Sequence, residues 1–93
     1  MYTEIIYPTE FKKIDSHNDN IDVIVKYDSK YYSLVFTTPD NLKALMEKEK
    51  VSYLEAGAPM AIVQELTRKN IESAVLTYCK DDAFWLKIYG LQM

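Results

Sequence analysis

One cysteine, one histidine, two glycines and three prolines are few for a chain of 93 residues, and each shortage closes off a class of protein. With Cys79 alone, no disulfide can form within the chain and no multi-thiolate metal site can be assembled from it. Gly57 and Gly90 cannot between them build a glycine-rich loop that cradles phosphates. So few glycines and prolines also argue against disorder and low complexity. No apolar run approaches the roughly 18–20 residues of a membrane span, so no membrane association is expected. The start Met1-Tyr2-Thr3-Glu4 lacks the basic and apolar regions of a secretory signal, which makes the cytosol the expected compartment.

What is present is the composition of an ordinary folded domain. Apolar residues make up 48% and charged residues 27% of the chain, close to the globular average, and residues 1–93 are read as a single domain. A chain of this length is expected to be stable by about 5–14 kcal/mol without any covalent or metal staple.

The net charge of −3 is unevenly placed. Residues 1–40 carry seven acids (Glu4, Glu10, Asp15, Asp19, Asp22, Asp28, Asp40) against Lys12, Lys13, Lys26 and Lys30, whereas the remainder is neutral. An acidic front half without a basic stripe repels a phosphate backbone, so no nucleic-acid partner is expected. A basic protein partner is compatible with it.

Periodicity then outlines the fold. Ile21-Asp22-Val23-Ile24-Val25-Lys26-Tyr27 alternates with period two and is rich in β-branched residues, with Ile21, Val23, Val25 and Tyr27 on one face. After the polar break Asp28-Ser29-Lys30, the run from Tyr31 to Thr37 alternates again with Tyr32, Leu34 and Phe36 inward, and the two runs predict a β-hairpin. Thr38-Pro39-Asp40 has the chemistry of a helix start, followed by the stripe Leu42, Leu45 and Met46, and the helix is expected to stop near Lys50. Val51–Ala56 reads as extended and Gly57-Ala58-Pro59 as a break. Met60–Leu66 fits either a helix opened by Pro59 or a strand, and Thr67 as a fresh N-cap favours the strand. Ile71, Ala74, Val75, Tyr78 and Cys79 fall at i, i+3, i+4, i+7 and i+8 and predict a second helix, ended by Asp81-Asp82. Ala83–Tyr89 reads as a final strand with Phe84, Leu86 and Ile88 on one side. A short extra strand is also expected near Glu10–Ile14. The fold class is therefore α+β: a mainly antiparallel sheet of four to five strands, with two helices packed on one face, in the order ββαβ(β)αβ.

No constellation in this pattern carries chemistry. The segment Asp15–Asp22 gathers His17 with three carboxylates, but it departs from a calcium loop. Histidine stands at the third position, glycine is missing at the sixth, and Lys26 replaces the bidentate glutamate, so a solvated connecting loop is expected. Cys79 falls on the apolar stripe near a helix C-terminus, where the dipole raises a thiol pKa, and reads as a structural residue. Glu47 and Glu49 do not share a helix face, and Asp81/Asp82 sit at a helix end with nothing to make them converge. No enzyme activity, metal or cofactor is expected.

The aromatic residues point elsewhere. Eight tyrosines and one tryptophan are many for this length. If Phe84, Leu86 and Ile88 face the helices, Trp85, Lys87 and Tyr89 fall on the opposite side of the sheet with Tyr31, Val35 and Ile24. A face mixing Trp, Tyr, aliphatic and charged residues has the makeup of a recognition surface, with Tyr31, Val35, Trp85, Lys87 and Tyr89 as partner-binding residues. The other reading of that face is a second core surface, covered by a loop, the N-terminal segment or a second copy of the chain.

The stretch from Asn18 to about Val75 resembles a group of short bacterial proteins with no assigned activity. Its carriers are Asp22-Val23-Ile24-Val25, Tyr32, Phe36-Thr37-Thr38, Leu45-Met46, Tyr53, Met60-Ala61-Ile62-Val63, Leu66-Thr67 and Asn70-Ile71. The resemblance implies a bacterial origin and a helix beginning near Thr67, and it brings no functional residues. The function expected from the sequence is a protein-binding module of inhibitor or immunity type. The alternative is a small-ligand-binding domain or enzyme whose site forms at a homodimer interface.

Overall fold

The two alternating runs do form a hairpin, and the rest of the molecule is arranged around it. The computed structural model describes residues 2–54 and 60–93. Strands β2 (Asn20–Tyr27) and β3 (Lys30–Thr37) pair antiparallel from Asn20↔Thr37 to Tyr27↔Lys30. Only Asp28 and Ser29 are left in the turn, both left-handed at φ 51° and 64°, as the tight primed turns of two-residue hairpins require. Strand β1 (Tyr2–Ile6) adds antiparallel to β2. The far edge of β3 is shared. Strand β4 (Met60–Ile62) runs parallel along Val35–Thr37, and strand β5 (Leu91–Gln92) runs antiparallel beside Tyr32 and Ser33.

The capping chemistry at Thr38 is realised. Helix α1 (Pro39–Glu49) starts with Thr38 Oγ1 accepting from the Asn41 amide at 3.2 Å and donating to the His17 carbonyl at 2.7 Å. Thr37 accepts from the Asn41 side chain at 2.9 Å, so two buried hydroxyls fasten α1 to the sheet and to the preceding loop. The helix ends at Lys50 in the left-handed conformation, at the stop expected near that residue. Val51–Leu54 forms no strand, and the expected break at Gly57-Ala58-Pro59 lies outside the described residues. Thr67 caps helix α2 (Arg68–Tyr78) by accepting from the Asn70 amide at 3.1 Å.

The fold class is the expected α+β, with three α-helices among the described residues where two were expected. The segment read as a final strand is helix α3 (Lys80–Tyr89). Its alternation was a coincidence of an apolar run that satisfies both periods, with Ala83 and Leu86 turned to the core at helical spacing. The tertiary arrangement gives the reason: a two-residue strand, β5, already occupies that part of β3's edge, so the preceding ten residues lie over the sheet. The extra strand expected near Glu10–Ile14 is a short 3₁₀ turn over Phe11–Lys13.

One core results. Ile21, Val23, Val25, Tyr27, Tyr32, Leu34 and Phe36 from the hairpin meet Ile71, Val75 and Cys79 of α2 and Ala83 and Leu86 of α3, with Ala61 and Leu66 closing one end. Helix α1 contributes no buried residue, so α2 and α3, rather than α1 and α2, are the helices seated on this face.

The junction of α2 and α3 is unusual. Asp81, Asp82 and Ala83 all lie in the left-handed region, at φ 53°, 55° and 57°. That region costs L-residues roughly 1–2 kcal/mol each and is normally visited by single residues. Gly90 ends α3 with φ −100°, so its role is steric: a Cβ there would lie 2.8 Å from the Leu86 carbonyl oxygen and 3.2 Å from Leu34 and Tyr32.

Candidate functional site

The side chains expected to share one recognition face are divided between two surfaces. Tyr31 (39% exposed) and half-buried Val35 stand on the outer face of the sheet, where Lys26 Nζ lies 5.6 Å from the Tyr31 ring. Trp85, Lys87 and Tyr89 belong to α3, which packs on the opposite, Tyr32/Leu34 face. The expected five-residue surface therefore does not exist as one patch. A helix turns successive residues by about 100°, so the alternation that united these positions has no meaning there.

What the structure brings together is an aromatic stripe on α3. Trp85 stacks on Tyr89 one helical turn later, with ring centroids 5.5 Å apart and planes 19° apart. Phe84 meets Trp85 edge-on at 5.0 Å, and Tyr89 in turn meets Tyr78 of α2 at 5.2 Å. Phe84 (51%), Trp85 (43%) and Ile88 (54%) are exposed, so a helix with its other side buried in the core also presents apolar groups to water. Leu91 and Met93 are exposed as well, beside Ser33 and Tyr31 of β3 rather than on the helix stripe. Phe84 and Ile88 were expected inward. A helix signature was present in the sequence all the same: acidic Asp81-Asp82 at the start and Gly90 just past the end.

Asp82 ties the head of this helix to the sheet. Tyr27 Oη donates to its Oδ1 and Lys87 Nζ to its Oδ2, both at 3.2 Å. The Lys87 hydrogen bond and charge, helped by the Tyr27 hydroxyl, hold the Asp82 carboxyl below its ordinary 3.8. Burial, followed by the hydrogen bond to Asp82, pushes Tyr27 above its ordinary 10.0, and the bond to Asp82 raises Lys87 above 10.5. A depressed carboxylate stabilises the fold above its ordinary pKa and loses that contribution as pH falls through the folded value. A raised phenol or ammonium stabilises it below the ordinary pKa and loses that contribution as pH rises through the folded value. Urea midpoints are therefore expected to be level between pH 3.8 and 10.0 as far as this trio is concerned, and to decline on either side. In Tyr27→Phe the alkaline decline should be smaller, which a pH series of midpoints checks directly.

The acidic loop is a connector. The Asp15 carboxylate accepts from the His17 amide at 3.0 Å, and Asp19 accepts from the Asp15 and Asn20 amides at 3.2 and 2.8 Å. Glu65, whose arrival could not be read from sequence, accepts from Ser16 Oγ at 3.2 Å and lies 3.6 Å from His17 Nε2. Serine, histidine and glutamate thus meet, but the carboxylate stands in the middle. In a nucleophilic relay the histidine must take the serine proton, and here both side chains turn to Glu65 instead. The contact fastens the loop to the segment before α2, reinforced by the Leu66 amide donating to the Ser16 carbonyl at 2.7 Å. Among the described residues, no group of three His, Cys, Asp or Glu side chains is placed to hold a metal ion. Cys79 is buried at the end of α2. A shallow open depression of about 220 Å³, lined by Val63, Gln64, Asn70 and Ser73, is smaller than the roughly 300–1,000 Å³ of small-molecule sites. No helix among the described residues is long and apolar enough to cross a membrane.

No family model, no curated protein and no solved structure matches this chain.

Proposed function

We propose that the protein is a non-catalytic protein-binding module of the inhibitor or immunity type, and that it engages its partner through the outer face of α3. The observation that carries this reading is the exposure of Phe84, Trp85 and Ile88 side by side on one helix. Tryptophan and other large aromatics held rigidly on a helix are the residues that dominate protein–protein binding energy, because they bury much area at small entropic cost. Here the Trp85–Tyr89 stack already fixes the tryptophan ring. The partner is a basic protein: the chain carries a net charge of −3, and exposed Asp81 and Asp82 stand at the head of the stripe. Acidic groups beside an apolar anchor speed capture of such a partner and lower the rate for acidic competitors.

The test is affinity capture from the source organism's lysate, followed by titration calorimetry with the purified, identified partner. Trp85→Ala is expected to weaken binding by at least about 30-fold, the scale of a hot-spot residue, while Tyr31→Ala on the far face leaves it within a few-fold. A partner whose affinity is indifferent to Phe84, Trp85 and Ile88 substitutions would overturn the assignment of this face.

A further inference from the structure

The left-handed turn between α2 and α3 is strained. Asp81, Asp82 and Ala83 occupy consecutively a conformation that non-glycine residues normally adopt one at a time. Cys79 before them is right-handed at φ −85° and ψ −3°, and right-handed helix resumes after them. Converting the three residues to the right-handed conformation would fuse α2 and α3 into one helix from Arg68 to Tyr89, about 33 Å long at 1.5 Å per residue. In an isolated chain that move is opposed by the core. Leu86 is fully buried, β5 is paired with β3, and the Met93 amide donates to the Tyr31 carbonyl at 2.8 Å. A second copy of the chain removes the opposition, because its own α3 and β5 fit the vacated place with every one of those contacts.

We propose that Asp81–Ala83 is the hinge of a domain-swapped homodimer, in which α3 and β5 of each chain dock on the sheet of the other. A short strained connection is the usual seat of such an exchange, since opening relieves the strain while the docked contacts are conserved. One contact made by the hinge itself holds the closed form: Tyr27 Oη donates to Asp82 at 3.2 Å. The exchange does not rest on the proposed binding face, because the fully buried residues of α3 are Ala83 and Leu86, whereas Phe84, Trp85 and Ile88 are exposed.

The experiment is to refold the protein from denaturant at millimolar and at micromolar concentration and to measure mass by light scattering and sedimentation. A dimer is expected after refolding at millimolar concentration, persisting on dilution because separation requires α3 to leave the core. Asp81→Gly, which relieves the left-handed turn without opening it, is expected to lower the dimer fraction about tenfold. Asp81→Val, a β-branched residue that the left-handed region excludes, is expected to raise it about tenfold, and Tyr27→Phe to raise it less. Phe84→Ala/Trp85→Ala should leave the dimer fraction unchanged. Three results would overturn the proposal: a monomer under all conditions for both the native chain and Asp81→Val, a dimer indifferent to Asp81→Gly, or a dimer abolished by Phe84→Ala/Trp85→Ala. Should Asp81→Val fail to fold, Asp81→Gly tests the same hinge from the stabilising side.

Discussion

Replacing Phe36 by alanine is expected to lower the unfolding free energy by about 3–5 kcal/mol, the range for deleting a buried aromatic ring. Phe36 is fully buried near the end of β3, opposite Ile21 on β2 and Ala61 on β4, where the antiparallel and parallel pairings meet. Strands on both sides hold the surrounding backbone by ladder hydrogen bonds, so the space left by the ring cannot collapse, and the cavity adds to the lost transfer energy. Against an expected total of about 5–14 kcal/mol, this one change removes a large fraction of the stability. The neighbouring Val35 points to the other face and is half-buried, so Val35→Ala should cost about 1 kcal/mol or less. Urea denaturation followed by far-UV circular dichroism measures both, and equal losses at the two positions would contradict the inward and outward assignment of β3.

Leu86→Ala is expected to cost about 2–5 kcal/mol, while Phe84→Ala and Ile88→Ala each change stability by less than about 1 kcal/mol. The three residues alternate in sequence, and a strand would bury all of them. Of these three only Leu86 is inward on α3, fully buried, whereas Phe84 and Ile88 are 51% and 54% exposed. The pattern of losses therefore separates helix from strand without any spectroscopic assignment. It also bears on the binding face: if truncating Phe84 leaves the fold intact, any loss of partner affinity in that variant belongs to the contact itself.

The hairpin and the two capped helices were legible because local chemistry and tertiary packing agree there. Val23, Val25, Leu34 and Phe36 are period-two positions that the core does bury, and Thr38 and Thr67 accept from the amides three residues on. The candidate site was legible only as composition. Trp85 and Tyr89 were singled out and do stand together, but as an i, i+4 stack on a helix. Their proposed companions Tyr31 and Val35 lie on the other side of the sheet.

By itself the sequence determined the α+β class, the central hairpin with its inward face, and the start and stop of α1 and the start of α2. Each of these rests on interactions within a few residues: alternation, a side-chain cap, a turn that tolerates positive φ. Tertiary structure alone decided that residues 80–89 are helical, that β4 and β5 divide one edge of β3, and that Glu65 meets Ser16 and His17. Ala83–Tyr89 is apolar at nearly every position, so both periods fit it, and the choice fell to which packing buries Leu86 and Ala83 while leaving room for β5. That choice turned a proposed sheet surface into an exposed aromatic helix face, and it left three left-handed residues at the joint where the chain turns back onto its own core.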